Sequence, residues 1–94
     1  MLIEFDPAKR DTTLLERGLD FADCNAVFAG PELTQLDERS DYGEDCYITF
    51  GLLNACWVIV VWTPRGTVNS KIRRIISMRF ANEGEIKRYT SRLD

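Results

Sequence analysis

Histidine is absent from the 94 residues, which excludes imidazole acid–base chemistry and any His-ligated metal. Cysteine is scarce and odd in number. Cys24, Cys46 and Cys56 fit no CxxC or zinc-type spacing, so the expectation is free thiols, buried or half-buried, in a reducing cytoplasm. Long apolar runs are also missing. The longest, Ala55 to Trp62, falls well short of the roughly 20 residues a bilayer crossing needs. Met1-Leu2-Ile3-Glu4 lacks the charged start and apolar stretch of a signal peptide, so no membrane contact is expected. No Gly-rich phosphate loop, nucleophile elbow or metal-ligand spacing occurs. The paired carboxylates Asp37-Glu38 and Glu44-Asp45 lie in turn-like sequence and read as turn chemistry rather than metal ligands.

What remains is 45% hydrophobic and 29% charged, ordinary for one globular domain spanning residues 1–94. A chain of this length buries about two-thirds of its unfolded surface, enough for a core without metals or disulfides. The net charge of −3 conceals an asymmetry. Residues 1–47 hold 12 acids against 4 bases, a balance of −8; residues 48–94 hold 3 against 8, a balance of +5. A basic half can attract a polyanion locally while the molecule stays acidic overall.

Asp6-Pro7 predicts a helix start, because Asp caps free amides and Pro at the first helical position loses no hydrogen bond. Ala8 to Arg17 continues it, Gly18 ends it, and Leu14 and Leu15 are its expected core contacts. Asp20, with Asp23 three residues on, predicts a second helix whose apolar face is Phe21, Cys24, Val27 and Phe28. Gly30-Pro31 stops it. Leu33 to Asp37 reads as a first strand, followed by turn-rich Ser40 to Asp45. Residues 46–53 alternate as a strand with one buried face. Asn54-Ala55 then turns the chain so that Leu53 faces Cys56, Gly51 faces Val58 and Cys46 falls opposite Thr63. Trp57 to Trp62 is apolar at both parities, as in a central strand covered on both sides. Pro64-Arg65-Gly66 opens a loop reaching about Ser70. Lys71 to Phe80 places Ile72, Ile76, Met78 and Phe80 on one parity and Lys71, Arg73, Ser77 and Arg79 on the other, a basic row on one sheet face. Arg74 breaks this alternation, either at a bulge or by reaching around the sheet edge. Asn82 with Glu85 is a capping-box signature for a last helix. The sum is an α+β fold: two N-terminal helices on one sheet face, an antiparallel sheet of about four strands, and a C-terminal helix.

From Arg65 to Arg92 there are eight bases and two acids. Guanidinium forks match phosphate oxygens, and Trp62 and Tyr89 are placed to stack single-stranded bases. RNA cleavage without histidine requires activating a 2′-hydroxyl, stabilising phosphorane charge and protonating the leaving oxygen. Arg65, Arg74 and Arg79 suit the charge; Glu85 or Tyr89 suits the proton transfers. Each of the last two also has a bland role, in capping or packing.

Taken in order, Phe5-Asp6-Pro7-Ala8-Lys9, Gly18 with Phe21, Val27-Phe28, Asp41-Tyr42-Gly43-Glu44, Gly51, Val58 through Gly66, Arg73 through Arg79, Ala81, Glu85 and Tyr89 resemble the BrnT family. These are ribonuclease toxins of a bacterial type II toxin–antitoxin system with a RelE-like fold. The resemblance implies a metal-independent endoribonuclease that slows translation and needs no cofactor. It also implies inhibition by a BrnA-type ribbon-helix-helix antitoxin, through which alone DNA is bound. By position it implies catalytic roles for Arg65, Arg74, Arg79, Glu85 and Tyr89. Lys71, Arg73, Lys87, Arg88 and Trp62 are the accompanying RNA-binding candidates. The chain departs from the family pattern at Glu16-Arg17, where Lys-His is common, at Thr13, where Asn is usual, and at Cys46 and Phe80, where cations are common. The alternative is a catalytically degenerate module that only binds antitoxin or RNA.

Overall fold

The computed structural model describes residues 2–38 and 45–93; the expected turn and the Asp41-Tyr42-Gly43-Glu44 motif lie outside them. The elements are β1 (Leu2–Phe5), α1 (Pro7–Arg17), a 3-10 turn (Phe21–Asp23), α2 (Cys24–Ala29), β2 (Glu32–Leu36), β3 (Tyr47–Leu53), β4 (Cys56–Thr67), β5 (Ser70–Phe80) and α3 (Glu83–Thr90). The five strands form one sheet in the order β1-β5-β4-β3-β2. β1 runs parallel to β5 and the other pairs are antiparallel. The sheet is therefore mixed and five-stranded, where four antiparallel strands were expected. Four residues are too few to show alternation, and the partner of β1 lies some 70 residues away, so nothing local announces this strand.

The N-terminal signals act as read, but α1 is placed differently. Asp6 accepts from the Ala8 amide at 2.9 Å, and Gly18, at φ 71°, donates its amide to the Leu14 carbonyl. Yet α1 buries no residue, and Leu15 is 87% exposed, contrary to the expected core role of Leu14 and Leu15. β1 covers only the Ile72–Ile75 edge of β5. α1 approaches the rest of that edge, where the Arg17 guanidinium donates to the Met78 carbonyl at 2.9 Å. A helix guarding a strand edge in this way blocks edge-to-edge association without needing a buried apolar stripe. Arg10 ties it down through two 2.8 Å bonds to Asp20, whose carboxyl is thereby held below its ordinary range.

Asp20 also caps the 3-10 turn through the Ala22 amide, and the helix proper begins only at Cys24. One core joins Phe21, Cys24 and Val27 to Val58, Val60, Trp62, Ile75 and Met78. A second, on the opposite sheet face, joins Phe50 and Ile59 to Tyr89 of α3. β3 is thus covered on both faces, not one. α2 reaches it because Gly51 has no side chain: a Cβ there would lie 2.7 Å from Val27 Cγ1. Opposite, Phe50 stacks on Trp57 with centroids 4.5 Å apart.

The β3–β4 register is the one expected, with Leu53 opposite Cys56 and Gly51 opposite Val58. Asn54 (φ 50°) and Ala55 (φ 66°) both take the left-handed region, as a two-residue type I′ turn requires. Cys24 and Cys46 are buried, Cys56 is exposed, and all three are free. β4 continues to Thr67, so the expected loop after Pro64 is instead a long β4–β5 hairpin. β3 ends at Tyr47, opposite Trp62. Pro64 therefore lies where one edge of β4 has no strand to bond, which tolerates its missing N–H.

The register shifts between Val61–Ser77 and Trp62–Ile75, making Ile76 the extra residue of a bulge. The alternation of β5 reverses there. Arg79, Ser77 and Arg74 share the face that carries α3, whereas Arg73 turns to the α2 face. The expected single basic row is therefore split, and Arg74 belongs to it while Arg73 does not.

Candidate functional site

The strongest constellation forms where β5 hands over to α3. Asn82 and Glu85 close a reciprocal capping box: the Glu85 amide donates to Asn82 Oδ1 at 2.8 Å and the Asn82 amide to Glu85 Oε1 at 2.9 Å. This fixes the first turn of α3 and aims Glu85 back at the sheet. There Arg79 donates through both terminal nitrogens to both carboxylate oxygens, each bond 2.8 Å. A fork-to-fork pair of this kind is strong and directional. The Glu85 side chain is 13% exposed and that of Arg79 is 39% exposed, so the guanidinium keeps an outward side. Arg79 holds the Glu85 carboxyl down at about 2, helped by the Asn82 amide, and the guanidinium pKa rises in return. Glu85 is charged throughout the physiological range.

Tyr89 lies one helical turn beyond Glu85 and so on the same side of α3. Its ring packs against Phe50 at 5.2 Å, and its hydroxyl accepts from Gln35 Nε2 at 3.2 Å. The Arg88 guanidinium sits 5.3 Å from the Tyr89 ring centroid. Arg79, Glu85, Arg88 and Tyr89 line a groove of about 580 Å³, whose far wall is the end of β2 at Gln35 and Leu36 and the two residues after it, Asp37 and Glu38. Sequence reasoning missed Gln35, which reaches the groove only because it pairs with Ile48 across β2 and β3. Asp37 and Glu38, read as turn chemistry, follow β2 directly and also border the groove.

The other candidates lie apart. Arg74 is on the same sheet face, opposite Thr63, and pairs with Glu4 of β1 at 2.6 Å. Arg79 faces Ile59, so about 13 Å of strand separates the two arginines. Arg65 is farther along β4 on the exposed hairpin with Lys71, and Lys87 is exposed on α3. Arg73 is committed inward, its guanidinium 4.0 Å from the Phe28 ring centroid and 4.9 Å from that of Trp62. Its Nε is buried with no hydrogen-bond partner among the described residues. Trp62 is 8% exposed, stacks on Tyr47, meets Phe28 edge-on and donates Nε1 to Thr49 Oγ1 at 2.8 Å. It is a core residue, and the expected base stacking on its indole has no open ring face to use.

Burial pushes the Cys24 thiol up to about 12, with Asp23 and Asp20 adding to the effect, so it is no nucleophile. Among the described residues no group of three or more thiols and carboxylates is arranged to hold a metal. No helix among them is long and apolar enough to cross a membrane.

A family model described as the ribonuclease toxin, BrnT, of the type II toxin–antitoxin system matches residues 5–85. No curated protein matches the sequence. The matched span includes Arg65, Arg74, Arg79 and Glu85 but stops short of Lys87, Arg88 and Tyr89, whose placement in or near the groove rests on geometry alone.

Proposed function

The chain belongs to the BrnT family of ribonuclease toxins of type II toxin–antitoxin systems, and from that premise we propose that it cleaves RNA at the Arg79 groove. The observation that carries the proposal is the Arg79–Glu85 fork. A guanidinium whose orientation is fixed before substrate arrives can stabilise charge developing on a phosphorane without reorganising, and such preorganised electrostatics are usually the largest catalytic contribution. Glu85, held near 2, is too weakly basic to be an efficient proton acceptor at neutral pH. Its role in this reading is to position Arg79. Tyr89, with its hydroxyl hydrogen-bonded by Gln35, is the candidate donor to the leaving 5′-oxygen.

The groove wall mixes Arg79 and Arg88 with Asp37, Glu38 and Glu85, so the hold on a polyanion comes from outside it. Arg74 and Arg65 continue along the same sheet face, about 20 Å of strand from Arg79 to Arg65, and offer that path. The degenerate-module alternative was motivated by Cys46 and Phe80. Phe80 is adjacent to Arg79 on β5 and so points to the opposite sheet face, and Cys46 is buried. Neither residue takes a cation out of the groove. The partner in this reading is a BrnA-type ribbon-helix-helix antitoxin in the cytoplasm.

The test is RNA cleavage by purified protein. Arg79→Ala should lower the rate by about 10²–10³, the usual loss when one preorganised donor is removed. Undiminished cleavage by this variant would overturn the site. A wild-type protein that binds antitoxin tightly but cleaves no RNA would favour the degenerate reading.

A further inference from the structure

We propose that the hollow under the β4–β5 hairpin is a second nucleotide subsite, which takes one RNA base against Tyr47 and the adjoining phosphate on Lys71. The proposal rests on the RNA-cleavage reading above. The hollow has a volume of about 380 Å³ and is bordered by Tyr47, Trp62, Pro64, Arg65, Lys71 and Ile72, a size in the range of small-ligand sites. Its floor is aromatic and stiff. Tyr47 lies on Trp62 with centroids 5.0 Å apart and planes 24° from parallel. Trp62 is itself locked from behind by Phe28, by the Arg73 guanidinium and by its bond to the buried Thr49 hydroxyl. Tyr47 is the half-buried outer ring of this layered set. A base could stack there without the floor collapsing, and every base has a π-face to offer.

The rim supplies charge complementary to a phosphodiester. In the hairpin register Lys71 stands opposite Gly66, on the same sheet face as Trp62 and Tyr47, while Arg65, opposite Ile72, belongs to the other face and borders the hollow only from the strand. Gly66 makes the close crossing of the two strands possible: it has φ 90°, and a Cβ there would fall 2.0 Å from the Ser70 carbonyl oxygen. An apolar ring-sized floor with a cation at its edge is the chemistry of a nucleotide rather than of an extended peptide. Arg79 faces Ile59, six residues before Arg65 along β4. The hollow opens on the α2 face of the sheet, opposite the face that carries Arg79 and the cleavage groove, so an RNA that fills both passes round the open edge of β4 beyond Trp62.

The experiment measures binding of a fluorescein-labelled, fully 2′-O-methylated RNA hexamer, which lacks the attacking hydroxyl, by anisotropy. Tyr47→Leu should raise Kd about 5- to 30-fold, the loss of one base stack. Tyr47→Phe should stay within about twofold, because the ring is retained. Lys71→Gln, on an exposed strand end, should weaken binding and reduce the salt slope by about 0.7. A 2′-O-methylated dinucleotide carries the base and phosphate that the hollow takes, so Tyr47→Leu should weaken its binding as well; equal binding by Tyr47→Leu and wild type would overturn the subsite. If the hexamer binds Tyr47→Leu and Lys71→Gln as tightly as wild type while Arg79→Ala binds it poorly, the subsite is wrong and the cleavage reading stands. If wild type neither binds the hexamer nor cleaves unmodified RNA, both fail together. If Tyr47→Leu loses only a ribbon-helix-helix antitoxin, the hollow belongs to that partner and the subsite is overturned.

Discussion

Glu85→Gln separates two jobs that one carboxylate performs. Glutamine can still accept from the Asn82 amide, since the capping box tolerates Gln at this position, so α3 should keep its start. What disappears is the charge that Arg79 grips with two 2.8 Å bonds. The Glu85 pKa falls from an ordinary 4.5 to about 2 on folding; at 1.36 kcal/mol per pH unit this sets a ceiling of about 3 kcal/mol. The Arg79 side chain is 39% exposed, and solvent screening reduces the expected contribution to about 1–2 kcal/mol. The sign follows from the depressed folded pKa. The contribution is complete above pH 4.5 and is lost as pH falls towards 2. Urea unfolding followed by circular dichroism should show the variant about 1–2 kcal/mol less stable at pH 7, with the gap to wild type closing below pH 4. RNA cleavage by the variant should fall about 10- to 100-fold, because an unanchored guanidinium no longer holds its geometry. A gap that is already absent at pH 7, or one that stays constant down to pH 2.5, would refute the reasoning.

Other substitutions probe the frame around the site. Gly51→Ala should cost about 1–3 kcal/mol in chemical denaturation, since the new methyl meets Val27 Cγ1 at 2.7 Å and must push α2 away from β3. Ala55→Gly should raise stability by up to about 1 kcal/mol by relieving a left-handed alanine in the β3–β4 turn; a fall in Tm would count against that strain. Thr49→Val should destabilise by about 1–3 kcal/mol, because the Trp62 indole N–H loses its acceptor inside the core. Leu15→Lys, on the outward side of α1, should change unfolding free energy by no more than about 0.5 kcal/mol.

The basic strand shows where sequence reading stops. Alternation through Lys71 to Phe80 puts Arg73 beside Arg79 on one face, and that inference is sound for an unbroken strand. The bulge at Ile76 arises from how β5 fits β4, and no local signal names the residue that is skipped. One inserted position exchanges the faces of everything before it, so Arg74 joins Arg79 and Arg73 turns in beneath Trp62. The same limit explains Leu14 and Leu15. Their spacing is compatible with a core-facing helix, but α1 lies at the sheet edge because β1 is too short to cover β5. The capping box and the Asn54-Ala55 turn were legible because their geometry is complete within a few residues.

The sequence by itself determined what short-range chemistry can encode. That comprises the helix starts at Asp6 and Asn82, the β3–β4 register, the doubly buried central strand, the free thiols and the absence of imidazole. It also carried the ordered motifs of the family. Tertiary structure alone decided that Leu2–Phe5 is a parallel edge strand, that Trp62 and Arg73 are core partners, and that Arg79, Glu85, Tyr89 and Gln35 meet around one groove. These outcomes depend on contacts between residues tens of positions apart and on a single-residue register shift. The energies that set them come from packing whole elements together, and no window of sequence contains both sides of such a contact.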